Sequence, residues 1–164
     1  MKISRFVKFL VPALGAGVLA ACAAEPAEEA PAAAGPEPAV IAERHDNFEA
    51  IGDSFKAIRT QLESGSPDTA IILTAATDMN SAAQKIEGHF PAGTSVDDGY
   101  DTEALATIWE KPEEFRAAHE LLVERTAEMM RLAEAGDSAA IEAYVKELGG
   151  ACKNCHDNFR LDTD

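Results

Sequence analysis

The clearest chemistry in this sequence lies close to its end, where Cys152, Cys155 and His156 form the motif C-x-x-C-H. Two cysteines three residues apart lie on one face of a helix, so both thiols can add to the two vinyl groups of one porphyrin. The histidine that follows can present its imidazole to the iron as an axial ligand. The motif therefore predicts a covalently attached c-type haem, one per chain.

Other uses of this spacing stay open at the level of sequence. A thiol–disulfide redox pair is typical of the start of a helix beside a βαβ unit, and nothing upstream indicates such a unit. A zinc site needs four ligands, and the third cysteine of the chain, Cys22, belongs to the N-terminal segment. A haem-free helical scaffold with a coincidental motif is a further alternative. Haem that survives denaturation and acid-acetone extraction would exclude it.

Helical periodicity dominates the sequence from residue 40 onward. The first predicted helix, residues 40–63, repeats apolar residues at spacings of three, four and seven, which is typical of one buried helix face. Arg44 occupies the one position of this stripe that is not apolar. The apolar members are Ile41, Phe48, Ile51, Phe55, Ile58 and Leu62.

A second helix is predicted to follow after a short break. Ser66 is suited to cap it and Pro67 to be its first residue, and its apolar stripe runs from Ile72 to Ile86. Residues 88–100 then carry enough Gly, Pro and Asp to predict a loop. A loop of this length usually has a function or wraps around something.

Pro112 is suited to begin a third helix, and the fourth runs from Ser138, after Gly136 and Asp137 break and re-cap the chain. The two haem cysteines continue the apolar stripe of this last helix, which places the porphyrin inside or against the bundle. Two short links and one long one predict an all-α fold over residues 40–164. We expect an antiparallel four-helix bundle with covalent haem on its C-terminal helix.

Residues 1–21 read as an export signal, because three basic residues precede a charge-free apolar stretch that is too short to span a bilayer comfortably. Leu19-Ala20-Ala21-Cys22 resembles the lipobox of bacterial lipoproteins. In that family the cysteine is diacylated and becomes the first mature residue, which anchors the protein to a membrane without spanning it. Ala23, in place of an aspartate, favours the outer membrane. The alternative is an ordinary signal peptide with a cysteine near the cleavage site.

Residues 22–39 consist mainly of Ala, Pro, Glu and Gly, a composition that predicts a flexible tether. The chain has a formal net charge of -15, and loss of a signal with three positive and no negative charges would change it to -18. Such a charge disfavours nucleic acid and favours cationic or neutral partners. The acidity can equally serve solubility alone.

Over residues 40–160, the sequence resembles the cytochrome c′ family, the class II c-type cytochromes. Most small c-type cytochromes carry the haem motif near the N-terminus, whereas here it lies on the last helix, and further elements occur in the family's order and spacing. These elements are Arg44, Phe48, Gly52 and Phe55; His89-Phe90-Pro91-Ala92-Gly93-Thr94; Ile108-Trp109 followed by Phe115; and residues 149–160, including an arginine four residues after the histidine.

The resemblance implies a site around the haem. His156 would be the proximal iron ligand, and Phe48 falls at the family position that faces the distal side of the iron. Members with methionine at that position are six-coordinate electron carriers, whereas members with an apolar residue leave the iron five-coordinate. Arg44 would pair with a haem propionate, and Arg160 would flank the proximal histidine.

Phenylalanine has no lone pair for the iron, so a ligand at the sixth position would have to displace its ring. A distal side without a hydrogen-bond donor would bind O₂ poorly, whereas NO and CO need no such partner. The resemblance therefore implies reversible NO or CO binding, with a role in periplasmic electron transfer or NO protection rather than in catalysis. It also implies a homodimer formed through the first two helices. The redox partner is left open.

The competing interpretation is a six-coordinate, low-spin electron-transfer cytochrome with a second protein ligand. His45 is three residues from Phe48, so a small rotation of the first helix could direct its imidazole to the iron. Met129 and Met130 leave a thioether ligand open, although they and Met79 are expected to fill the core.

Overall fold

The computed structural model of the protein describes residues 37–163. The predicted signal peptide, Cys22 and nearly all of the predicted tether lie outside the described residues. The helices are α1 (Ala39–Glu63), α2 (Thr69–Ala83), α3 (Thr107–Glu110), α4 (Pro112–Glu134) and α5 (Ser138–Phe159). The four long helices form the predicted antiparallel bundle, so the fold class is confirmed. None of the helices in residues 37–163 is long and apolar enough to cross a membrane.

The helix ends follow local capping chemistry. The prediction that Ser66 caps the second helix was wrong, because Asp68 caps α2 by accepting a hydrogen bond from the backbone N–H two residues ahead at 2.9 Å. The other two starts are confirmed. Pro112 is the first residue of α4, and the Asp137 side chain accepts from the backbone N–H of Ala140 at 3.0 Å before α5.

The long connection between α2 and α4 is more ordered than the composition predicted. It contains two 3₁₀ turns, Ile86–His89 and Val96–Asp98, and the one-turn helix α3. Ser95 and Asp98 form a reciprocal cap, in which the carboxylate accepts from the Ser95 backbone N–H at 2.8 Å and from its hydroxyl at 2.6 Å. These hydrogen bonds lower the pKa of the Asp98 carboxyl below its ordinary value.

The apolar stripes of the four long helices meet in one core. Each of its large members contributes roughly 1.5–3 kcal/mol by leaving water. The prediction that Met79 and Met129 fill the core is confirmed, because both side chains are fully buried. The largest fully buried apolar side chains are Ile58, Ile72, Met79, Met129, Ile141 and Leu148.

A buried polar network links α2 to α4 within this core. The Asn80 amide nitrogen donates to the Thr126 hydroxyl at 2.8 Å and to the Val123 carbonyl at 3.2 Å. Its amide oxygen accepts from the Gln84 side chain at 2.6 Å. Buried polar groups are costly unless paired, so the network favours one register between the two helices.

We expect Asn80→Ala to lower the free energy of unfolding by roughly 1–3 kcal/mol, because buried polar groups of α4 lose their partner. Chemical denaturation followed by circular dichroism measures the change. The matched control is Thr77→Ala, an exposed site on α2 that should change stability by less than about 0.5 kcal/mol. Equal losses in the two variants would contradict a role for the network.

Candidate haem site

The bundle has one weak interface, and a cavity lies there. α1 packs on α2, α2 on α4 and α4 on α5, whereas α1 and α5 make few direct contacts. A cavity of about 970 Å³ is bordered by α1, α4, α5 and the long connection. Its volume is in the roughly 300–1,000 Å³ range of ligand and cofactor pockets. Its walls are rich in aromatic side chains, namely Phe48, Phe55, Phe90, Phe115 and Phe159.

Cys152 and Cys155 lie on α5, are half-buried and both line this cavity as free thiols. Burial raises the pKa of the Cys152 thiol, and burial followed by the neighbouring Cys152 raises the pKa of Cys155 to about 11. Disulfide exchange in C-x-x-C motifs relies on a lowered thiol pKa. The environment of these thiols is therefore unlike that of a redox pair.

His156 lies at the surface of the same cavity and also borders a second one of about 640 Å³ against the same turn of α5. The surrounding protein and then the positive charge of Arg160 lower the pKa of its imidazole, against the opposing influence of Glu103 and Asp157. A lowered pKa favours the neutral ring, the form that binds a metal.

Phe48 lines the cavity from α1. It is half-buried and packs against the core. Its ring meets Phe90 edge to face, with the two centroids 6.2 Å apart and the ring planes at 74°. The structure thus brings the sequence-predicted distal residue to the cavity that also holds the haem motif.

Arg44 also borders the cavity, but four of its five N–H donors bind oxygens of the protein. The residue is 4% exposed. Nε donates to the His89 carbonyl at 3.0 Å, Nη1 to the Thr94 carbonyl at 3.0 Å and the Thr102 hydroxyl at 3.1 Å, and Nη2 to the Thr94 hydroxyl at 2.6 Å. A guanidinium has five N–H donors, so one Nη2 donor remains. Pairing with a propionate stays a prediction that involves this donor.

Arg160 follows α5 and fastens the long connection to the haem helix. Its Nε donates to the Glu103 carboxylate at 2.6 Å, and its backbone forms an antiparallel bridge with Ala104. Leu161 donates its backbone N–H to the Glu103 carbonyl at 2.8 Å. Arg160 and His156 line the same smaller cavity, and a role for the arginine beside a proximal histidine stays a prediction. A single backbone bridge has no sequence signature, so sequence reasoning missed this strap.

Of the other side chains that could ligate the iron, some line the cavity and others lie in the core. His45 lines the cavity, yet its side chain is 77% exposed and lies 3.8 Å from Asp46. Met79 and Met129 belong to the core and do not line the cavity, whereas His119, on α4, does line it. Nε2 of His119 is 2.9 Å from the Ala83 carbonyl, which can only accept, so this nitrogen carries the proton.

The residues present fit a covalently bound haem. The weak α1–α5 interface leaves a cofactor-sized space, two neutral thiols sit on one wall, and a neutral imidazole follows them on the same helix. Cys152 and Cys155 would hold the porphyrin and His156 its iron. The half-buried rings of the long connection and of α4 would enclose it.

Known proteins resemble this chain over the same region. The family described as Cytochrome C' matches residues 39–160. The cytochrome c' of Pararhodospirillum photometricum is 32% identical over 128 residues, 77% of this chain and 99% of that protein. Cytochrome c-554 of Cereibacter sphaeroides is 35% identical over 94 residues, 57% of this chain but only 61% of that protein. The crystal structure of Rubrivivax gelatinosus cytochrome c' superposes with a TM-score of 0.67 at 29% identity, over 74% of this chain and 94% of that one.

We expect the double substitution Cys152→Ala/Cys155→Ala to abolish covalent haem attachment, because both thioether-forming thiols are lost. Haem staining after denaturing electrophoresis, together with acid-acetone extraction, measures the attachment. Lys153→Ala/Asn154→Ala is the matched control, since it changes the two exposed residues inside the motif and should keep the haem. Wild-type haem that extracts freely would contradict the assignment.

Proposed function

The chain belongs to the cytochrome c′ family, whose members carry one covalent haem c per chain, and on this premise we propose that it binds NO or CO reversibly at a five-coordinate, His156-ligated iron. The observation that carries the proposal is the placement of Phe48. Its ring lines the haem cavity from α1, while the haem motif lines it from α5. A benzyl side chain on the distal side cannot coordinate iron.

Some side chains of the site would bind the haem, and one would exclude water from it. When bound, the haem supplies a ferrous iron with affinity for diatomic gases. Cys152 and Cys155 would fix the porphyrin to α5, and His156 would offer from the same helix an imidazole whose pKa is lowered by burial. Phe48, which lines the cavity from α1, would exclude water from the bound haem. Because protein interiors are close-packed, a gas molecule can enter only if this ring moves.

A structural relative supports the capacity of the fold for such a ligand. The L16A mutant of cytochrome c prime from Alcaligenes xylosoxidans has been solved as a nitric oxide complex, and its fold matches with a TM-score of 0.68 at 20% identity. The likeness at this identity concerns the fold, so the NO complex is a property of that protein. It supports our proposal by showing that a protein with this fold can hold NO.

Six-coordinate electron transfer is the second candidate, and the position of His45 favours it. This imidazole borders the cavity one turn before Phe48, although 77% of its side chain is exposed. If His45 ligated the iron, the protein would be low-spin. His45→Ala would then convert it to a high-spin form, whereas our proposal expects no change in spin state.

Absorption spectroscopy of the reduced holoprotein, with no ligand added, tests the proposal. We expect a broad high-spin Soret band that shifts on addition of CO. A sharp low-spin α band that does not respond to CO would overturn the proposal in favour of electron transfer alone.

The proposed setting is the periplasmic side of a bacterial membrane, with a lipid anchor at Cys22 and the outer membrane as the expected site. The apolar signal and the Leu-Ala-Ala-Cys sequence support it.

We also propose a homodimer through α1 and α2, supported by Ile71 on α2, which is 46% exposed. Sedimentation of the holoprotein as a monomer at micromolar concentration would contradict the dimer.

We expect Cys22→Ala to release the haem protein from the membrane fraction into the soluble periplasmic fraction, because the acyl chains have no other attachment site in the proposed scheme. Fractionation with haem staining measures the distribution. Ser66→Ala, a change in the exposed α1–α2 link, is the control and should stay in the membrane fraction. A wild-type protein that is already soluble would contradict the anchor.

We expect Phe48→Ala to accelerate CO association, because the ring no longer has to move before the ligand enters. Flash photolysis of the ferrous CO complex measures the rate. Phe55→Ala is a suitable control, since Phe55 lines the same cavity from α1 two turns further along. If Phe48→Ala left the rate unchanged, Phe48 would not be the residue that limits entry.

A further inference from the structure

Phe90 packs directly against the distal ring and against two other aromatic side chains. Its centroid lies 6.2 Å from that of Phe48, 4.9 Å from Phe115 and 6.2 Å from Trp109. The contacts with Phe48 and Phe115 are edge to face, the geometry that aromatic pairs prefer. Phe90 is half-buried and lines the haem cavity together with Phe48. Movement of the Phe48 ring toward Phe90 is therefore blocked by the close packing of Phe90 against its neighbours.

Arg44 in turn holds Phe90 in place. The guanidinium carbon lies 4.3 Å from the centroid of Phe90, so a buried cation covers the face of the ring. The same guanidinium holds the carbonyl of His89, the residue just before Phe90, and both the carbonyl and the hydroxyl of Thr94 beyond it. The Trp109 indole N–H donates to the Phe90 carbonyl at 3.1 Å. Both the ring and the backbone of Phe90 are thus held in place.

Arg44 and Phe48 lie four residues apart on α1, so they occupy the same helix face one turn apart. Phe90 packs against both of them. One helix therefore provides both the ring that would cover the iron and the cation that fixes the support behind that ring.

We propose that Phe90 is a positioning residue that, clamped by Arg44, holds the Phe48 ring over the sixth coordination position and so sets the rate of gas entry. The inference rests on the proposed function, because it assumes that Phe48 is the ring that must move. It adds a residue outside α1 that controls this movement. It also gives Arg44 a role in ligand entry that is separate from any contact with a propionate.

The test is a double-mutant cycle on the ferrous holoprotein, with CO as the probe and flash photolysis as the measurement. Phe90→Leu removes the aromatic edge but keeps an apolar side chain, so Phe48 gains room to swing. We expect CO association to become about two- to tenfold faster, the factor that corresponds to the worth of one aromatic pair. In the Phe48→Ala background, Phe90→Leu should change the rate by less than about 1.5-fold, because the ring that it positions is gone.

Two further variants separate the clamp from general loosening of the cavity. Thr94→Val removes the hydroxyl that accepts from Arg44 at 2.6 Å and leaves every aromatic ring in place, so it should accelerate CO association in the same direction. Thr107→Val is the matched control. The Thr107 hydroxyl also lies on the long connection and donates to a backbone carbonyl, that of Asn158 at 2.8 Å, but Thr107 is not among the residues that line the cavity, so its loss should change the rate by less than about 1.5-fold.

A crystal structure of the Phe90→Leu holoprotein gives a readout that does not depend on ligand kinetics. We expect Phe48 to occupy more than one rotamer there and a single rotamer in the wild type. A single Phe48 rotamer in Phe90→Leu together with a wild-type association rate would overturn the inference. A Phe90→Leu acceleration of the same size in both Phe48 backgrounds would also overturn it, because Phe90 would then act through its own volume. If either of these two results were obtained and Phe48→Ala still accelerated CO association, the proposed function would stand without the clamp. If Phe48→Ala alone left the rate unchanged, Phe48 would not limit entry and the inference would fall, whereas the proposed function would fail only if the reduced holoprotein were low-spin and did not respond to CO.

Discussion

The buried guanidinium of Arg44 is the interaction on which the site depends. A charge that leaves water costs several kcal/mol unless it is paired or fully hydrogen-bonded. Here four N–H groups meet oxygens of His89, Thr94 and Thr102, 45 to 58 residues further along the chain. Burial lowers the pKa of Arg44, but an arginine remains charged throughout the accessible pH range. The long connection must therefore adopt the one path that supplies these acceptors.

That path closes the cavity on the side that helices leave open. α1 and α5 contact each other little, and a bundle with so weak an interface needs something else to fill it. The connection supplies Phe90 near one end and the Glu103–Ala104 strap to α5 at the other. The haem motif then contributes two thiols and an imidazole from α5 itself. The same cavity is thus surrounded by the long connection, the aromatic side chains and the haem motif.

The sequence predicted the parts of this structure that rest on local pattern. The period of apolar residues located the four long helices, and Pro112 and Asp137 marked two of their starts, because capping depends on neighbours along the chain. Asp68 was missed as a cap because Ser66 and Pro67 offered an equally good local signal. The stripe on α1 also singled out Arg44 as a polar residue on a buried face. Its partners could not be predicted, since two of them are backbone carbonyls that any residue type could supply. The same applies to α3, to the Ala104–Arg160 bridge and to Phe90, whose roles follow from tertiary contacts.

The central claim is that iron held by His156 has no second protein ligand, because Phe48 covers its other side. Resonance Raman spectroscopy of the purified ferric and ferrous holoprotein, with no ligand added, reads the coordination number directly. The account predicts five-coordinate, high-spin iron in the ferrous state and no nitrogen or sulfur ligand from the protein at the sixth position in the ferric state. A six-coordinate, low-spin signature that disappears in His45→Ala would contradict it.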